Sequence, residues 1–301
     1  MTAVDPDSSR DLALLLPSAS VEVSARGLQL QELRDNFAAG TEVTITFLSG
    51  DTYRHTIETA TALRRAGYRP VPHIAARELP SRAALDDYLA RARGEADVER
   101  VLLIAGDVAI AKGPFRSSRD IAASGLLETQ GISAVSVAGH PEGHPFLDPT
   151  NTFAQFEAWR DWGRGTGITV GIVTQFCFES APILGLLREL QARGIALPVI
   201  IGLAGPASPA TLSKFALRCG IGNSIRALRA QIGRYGRLLT DTGPDEVLRG
   251  LRSAPREATA AVAGFHLFPF GGVRKSGLWL RDYLEEARRR EASPLALSQN
   301  P

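Results

Sequence analysis

Cysteine is scarce: Cys177 and Cys219 are the only two, far apart and without the close spacing of a metal knuckle. Set in apolar surroundings, both read as buried free thiols of a reducing compartment. Long apolar runs are missing too. No stretch approaches the roughly 18 apolar residues that announce a membrane-spanning helix, so no membrane partner is expected. The amino terminus carries Asp5, Asp7 and Asp11 ahead of a short apolar run, Leu12 to Leu16, where a secretory signal would need positive charge. A cytoplasmic location is the expectation. Nor is there an excess of one charge: 34 Lys and Arg face 32 Asp and Glu, for a formal net charge of +2, which gives no footprint for nucleic acid. The one basic run, Arg288 to Arg290, closes a helical pattern where cations complement the helix dipole. Signature loops are also missing. There is no GxGxxG after the first strand, no Walker loop and no GxSxG elbow, so dinucleotide-fold, P-loop and serine-hydrolase readings lose their usual support.

What is present is alternation. Hydrophobic residues make up 44% of the 301-residue chain, enough for a sizeable core. They fall in short β-branched runs separated by longer amphipathic ones. Strands are expected at Val21–Ser24, Glu42–Leu48, Arg69–Ala75, Arg100–Gly106, Ile132–Ala138, Ile168–Phe176, Leu197–Ala204 and Ala260–Phe268. Helices are expected at Leu30–Ala39, Tyr53–Ala66, Arg82–Gly94, Ser118–Gly131, Phe153–Gly163, Ala181–Arg193, Pro209–Cys219, Ile225–Tyr235, Pro244–Leu251 and Leu278–Arg290. The strands are near-continuous apolar runs, the pattern of a parallel sheet buried on both faces. Gly67, Gly194 and Gly220 follow helical runs as left-handed caps, and Ser81 and Ser180 precede helices as amino-terminal caps. The expected fold is a single (β/α)8 TIM barrel spanning 1–301, with an extension over about 1–19 and a flexible tail over about 291–301. A doubly wound open sheet is the rival, and periodicity does not separate the two.

A barrel places its chemistry at the carboxyl ends of its strands. Here those ends are polar. Glu22 interrupts an apolar strand, where burial would raise its pKa and suit it to general-acid work; a structural ion pair is the equal alternative. Asp107 closes the fourth strand after Gly106, a position that ordinary turn chemistry also explains. Gln175 ends the sixth strand, offering amide donors and an acceptor to a planar heterocycle, with Phe176 and Phe178 near to stack. His140-Pro141-Glu142-Gly143-His144-Pro145 is the densest polar cluster. With His73 it invites a zinc reading, but no spacing demands one, and no metal is expected.

In order and spacing these fragments resemble the methylenetetrahydrofolate reductase family from about Val21 to Gly272. The resemblance rests on Ser20-Val21-Glu22-Val23, Pro72-His73-Ile74, Ile104-Ala105-Gly106-Asp107, the His140 to Pro145 run, Val173-Thr174-Gln175-Phe176 and Gly264-Phe265-His266. It implies a flavoprotein oxidoreductase of folate one-carbon metabolism. FAD, reduced by NADH or NADPH, would exchange a hydride with a tetrahydrofolate derivative, interconverting its 5,10-methylene and 5-methyl forms. Glu22 and Asp107 would be the catalytic pair, and Gln175, Phe178 and Phe268 would bind substrate. Thr46, His73, Gly106, Asp107, His140, His144, Glu157, Arg160 and Arg164 would hold the cofactor.

Several positions depart from the family pattern. Ser24-Ala25-Arg26 stands where it has paired prolines, Ala105 replaces an arginine that contacts FAD, and His140 replaces a tyrosine. The direction of reaction is set by metabolite levels, so oxidation of methyl groups delivered by a folate-dependent demethylase is equally compatible. The alternative from another class is a non-catalytic folate- or flavin-binding barrel acting as a partner subunit. A folate-dependent methyltransferase would need a metal or corrinoid partner. The partners expected are a small-molecule substrate and further copies of the same chain.

Overall fold

The computed structural model describes residues 12–48, 50–143, 149–221 and 241–292. Eight parallel strands close into a ring in sequence order, β1 (Ser20–Ser24), β2 (Glu42–Thr46), β3 (Arg69–Ala75), β4 (Arg100–Ile104), β5 (Ala134–Gly139), β6 (Thr169–Thr174), β7 (Val199–Ala204) and β8 (Val262–Phe268). Because β8 pairs with β1 through Ser20–His266 and Val21–Leu267, the open-sheet rival is excluded.

Strand alternation divides the side chains. Val21, Val23, Val43, Ile45, Leu103, Val135, Val137, Ile172 and Ile201 join the main core, which lies between the barrel and its helices. The interior is filled by few apolar groups, with Val71, Leu102 and Val173 packing alongside Ile104 and Ile200. The remainder of the interior is polar, and buried Ser20, Thr44, His73, Ser136 and His266 belong to it.

The wall helices are α1 (Leu30–Asn36), α2 (Tyr53–Arg65), α3 (Arg82–Ala96), α4 (Ser118–Ala123), α5 (Leu126–Thr129), α6 (Pro149–Thr166) and α7 (Ala181–Ala192). After them come α8 (Pro209–Arg218), α9 (Asp245–Arg252) and α10 (Val273–Ala292). Thr52 and Ser81 cap α2 and α3 by accepting from the His55 and Ala84 amides, and Ser117 with Asp120 forms a capping box on α4. Ser180, expected to cap α7, makes no side-chain cap bond; its own backbone is already helical. The single helix expected over 118–131 is broken by Gly125, whose φ of 70° places it in the left-handed region.

Part of the expected amino-terminal extension is structural. Residues Leu12–Ser18 form a 3-10 turn that buries Leu12 and Leu16 against β8 and α10. The helix expected at 225–235 and the end of the chain past Ala292 lie outside the described residues. No described helix is long and apolar enough to cross a membrane.

Candidate active site

Glu22 sits at the middle of β1 and alternates inward with Ser20 and Ser24, while Val21 and Val23 face the helices. Its side chain keeps only 18% of its exposure, and burial pushes its pKa up to about 8. At neutral pH this carboxyl is mainly a neutral acid. Its neighbour is His73 from β3, whose Nε2 stands 3.7 Å from Glu22 Oε2. Burial drives His73 down to about 4, so the two groups face one another uncharged rather than as an ion pair. His73 Nε2 is buried with no hydrogen-bond partner among the described residues, so this nitrogen is itself unsatisfied.

Below this pair lies His266 of β8. Its Nδ1 is 2.9 Å from Ser20 Oγ and its Nε2 is 3.5 Å from Thr44 Oγ1, so three strands are tied across the interior. Burial, with a smaller contribution from His73, lowers its pKa to about 3, and it too is neutral.

The mouth is built from the loops above. Gly106, with φ 91°, turns the chain after β4 and presents Asp107 at the surface. That loop is clamped to the segment after β3: the Arg77 amide donates to the Ala105 carbonyl at 2.9 Å, Arg77 Nε donates to the Arg116 carbonyl at 3.0 Å, and Lys112 pairs with buried Glu78 at 2.5 Å. Gln175, half-buried past β6, accepts the Phe176 amide on its own Oε1 at 3.1 Å, which fixes the orientation of its amide group.

Two features do not follow from the sequence. First, α8 does not follow the barrel wall; it packs on an aromatic cluster above the strand ends. Leu212 and Ala216 contact the cluster of Phe176, Phe178, Phe268 and Phe270, and Phe215 stacks on Phe270 with centroids 4.2 Å apart. Second, α8 brings Cys219 to the mouth. Its pKa rises to about 11 through burial first and then through the charges of Glu22 and Asp107, while the charge of Arg218 and a hydrogen bond from Gln175 act the other way. The thiol thus takes a hydrogen bond from Gln175 and lies within electrostatic reach of Glu22 and Asp107. Cys177, by contrast, is held protonated by its burial and then by the charge and hydrogen bond of Glu142. The only sequence signal for Cys219 is its place just after a helix; nothing in the spacing tells which way that helix runs.

The remaining expected residues divide. Phe178 and Phe268 belong to the aromatic cluster, and Thr46 and His140 lie half-buried at the ends of β2 and β5. His144 lies outside the described residues. Of Glu157, Arg160 and Arg164, it is Arg160 whose contacts lie away from the mouth. Arg160, low on α6, pairs with Asp161 at 2.8 Å and donates to the Gly194 carbonyl in the loop that feeds β7, at the amino-terminal end of the strands. Glu157 and Arg164 act electrostatically on this same pair. A helix that descends the wall carries residues spaced along it away from the strand ends, and these contacts of Arg160 lie at the far end. Among the described residues no group of three or more His, Cys, Asp or Glu is set to hold a metal ion.

No family model matches the chain. Among solved structures it is similar to dihydropteroate synthase (FolP) from Thermus thermophilus, at 15% identity and a TM-score of 0.45, with 90% of this chain and 92% of that chain covered. It is also similar to a xylose isomerase domain protein from Planctomyces limnophilus, at 12% identity and a TM-score of 0.44, with 91% and 98% covered. At such scores neither likeness bears on activity, and the barrel assignment rests on the closed strand order itself.

Proposed function

We propose that this barrel is a folate one-carbon oxidoreductase that interconverts 5,10-methylenetetrahydrofolate and 5-methyltetrahydrofolate. The observation that supports it is the buried, neutral Glu22 beneath a mouth shared by Asp107, Gln175 and an aromatic cluster. Reduction of the methylene form needs a proton at a ring nitrogen before hydride can add to the carbon. Glu22, held uncharged near neutrality, supplies that proton and takes it back in the oxidative direction. Asp107 and the Gln175 amide hydrogen-bond the polar edge of the pterin, and Phe178 and Phe268 pack on its faces. The α8 helix over the aromatic cluster excludes water from the reacting carbon.

FAD, reduced by NADH or NADPH, is the hydride source that the family resemblance implies. Thr46, Gly106, Asp107 and His140 stand at strand ends where they would border its ring system. Of the α6 positions implied to contact its ribose and phosphates, Arg160 does not fit that role, since it is engaged at the opposite end of the barrel. That mismatch favours a second reading, a folate-binding barrel without turnover.

An anaerobic titration separates the two. Purified protein is mixed with FAD and 5-methyltetrahydrofolate, and the visible flavin absorbance is followed. Bleaching that is lost in Glu22→Gln and Asp107→Ala, both still folded, is the expected result. Binding of the folate with no bleaching, and with no oxidation by NAD or NADP added directly, sinks the oxidoreductase and leaves the binding barrel.

A further inference from the structure

The resemblance gives His73 to the cofactor, yet its ring nitrogen faces inward, at the acid. His73 is held on β3 by pairing with Leu102 of β4, and inward alternation along β3 places it in the interior above Val71. Its Nε2 is buried, has no hydrogen-bond partner among the described residues, and lies 3.7 Å from Glu22 Oε2, slightly beyond hydrogen-bond reach. A small rotation of the carboxyl closes that distance, and catalytic hydrogen bonds are commonly long until a ligand is bound.

We propose that His73 is a positioning residue for Glu22: its Nε2–H donates to Glu22 Oε2, leaving the Oε1–H aimed at the substrate in the mouth.

The arrangement is a transition-state device. While Glu22 is a neutral acid, Oε2 is a weak acceptor and the contact is loose. As the proton leaves Oε1 for the substrate nitrogen, the carboxyl becomes a carboxylate, and a fixed N–H beside Oε2 gains strength as that charge develops. The proton balance is simple: one proton passes from Glu22 to the substrate nitrogen, and His73 keeps its own throughout. Burial, which lowers the pKa of His73 to about 4, prevents it from becoming a competing acid. The other charged or titratable groups around this pair, among the described residues, are His266 beyond His73, Cys219 from α8 and Asp107 from the loop after β4. None of these three supplies a donor to Oε2. The proposal rests on the acid role given to Glu22 above, but its test does not depend on folate.

The protonated carboxyl of Glu22 is followed by infrared spectroscopy between pH 6 and 10 as the carbonyl band that is absent from Glu22→Gln. In the wild-type protein its midpoint is expected near 8. Removing the donor in His73→Leu raises that midpoint by at least about one unit, because the carboxylate loses its hydrogen bond. His73→Gln, which keeps an amide N–H at similar reach, restores it. A merely structural histidine would not separate Gln from Leu. An unchanged or lowered midpoint in His73→Leu overturns the proposal. Should that variant fail to fold, 15N NMR of the wild-type ring decides: Nε2 must carry the proton below pH 8, and an unprotonated Nε2 overturns the pairing. Where flavin bleaching occurs, His73→Leu slows it by about tenfold or more and His73→Gln recovers most of the rate. A protein that shows the infrared shift but oxidises no methyltetrahydrofolate keeps the Glu22–His73 pair and loses the reductase.

Discussion

A single carboxyl illustrates how position, more than residue type, makes chemistry. Glu42 on the neighbouring strand is half-buried, within 3.8 Å of Arg69 and 3.5 Å of Arg100, so its charge is matched. Glu22 has no such cation beside it among the described residues, and burial raises its pKa unopposed by a matching charge. Cys219 reads the same field from the other side. Because its thiol is pushed up to about 11, alkylation by iodoacetamide at pH 9 is expected to be slow. At that pH Glu22 is a carboxylate, and Glu22→Gln removes one of the charges that hold the thiol protonated. The variant is therefore expected to react about three- to tenfold faster at Cys219, measured by peptide mass spectrometry. Equal rates would show that Cys219 does not share a space with Glu22. A bound tetrahydrofolate derivative is expected to protect the same thiol.

Among the elements, the barrel strands were legible because most are compact apolar runs, several of them β-branched, closed by a polar residue or a glycine. The order of eight such runs, with helical material between, left little else to fit. The helices were harder, since an amphipathic pattern states that a face is buried and not against what. Pro209–Cys219 has the pattern of a wall helix and proves to be cover, through Leu212, Phe215 and Ala216 packing over the strand ends. The site was legible in the same proportion. Glu22, Asp107 and Gln175 were visible as polar residues breaking apolar strands or ending them. His73 was visible as a residue, and its partner only in three dimensions. For Arg160, spacing along a helix carried no information about which end of the barrel its side chain would reach.

Gly202 tests the packing of that cover from below. It lies on β7 where an added Cβ would run into the Thr174 carbonyl and come within 2.7 Å of the Phe268 ring. The backbone oxygen cannot yield, so the strand or Phe268 must move. Gly202→Ala is expected to destabilise the protein by about 1–3 kcal/mol and to weaken folate binding in the same variant. Chemical denaturation beside a binding titration checks both. A loss of stability with unchanged affinity would show that Phe268 does not touch the ligand.

For the molecule as a whole, the neutral interior predicts the shape of the pH–stability curve. Glu22 has a folded pKa near 8 against an ordinary 4.5, so the folded state holds a proton there that the unfolded chain releases. Its contribution is complete below about pH 4.5 and is lost as pH rises through 8. His73 and His266 act in the opposite sense. Their pKa values fall from 6.5 to about 4 and about 3, so their contribution is complete above about pH 6.5 and is lost as pH falls toward 3. Between 4.5 and 6.5 the slopes oppose one another; above 6.5 only the Glu22 slope remains. Stability measured by urea denaturation is therefore expected to fall between pH 6.5 and 8.5, a range where most proteins change little. The full shift of Glu22 corresponds to about 5 kcal/mol between the two limits, and its 18% residual exposure reduces this to about 2–4 kcal/mol. Glu22→Gln should abolish the decline and leave the protein more stable than wild type at pH 9, even as it removes the acid. A wild-type curve that is flat from 6.5 to 8.5 would mean that Glu22 is ionised in the folded barrel, and the acid role would fall with it.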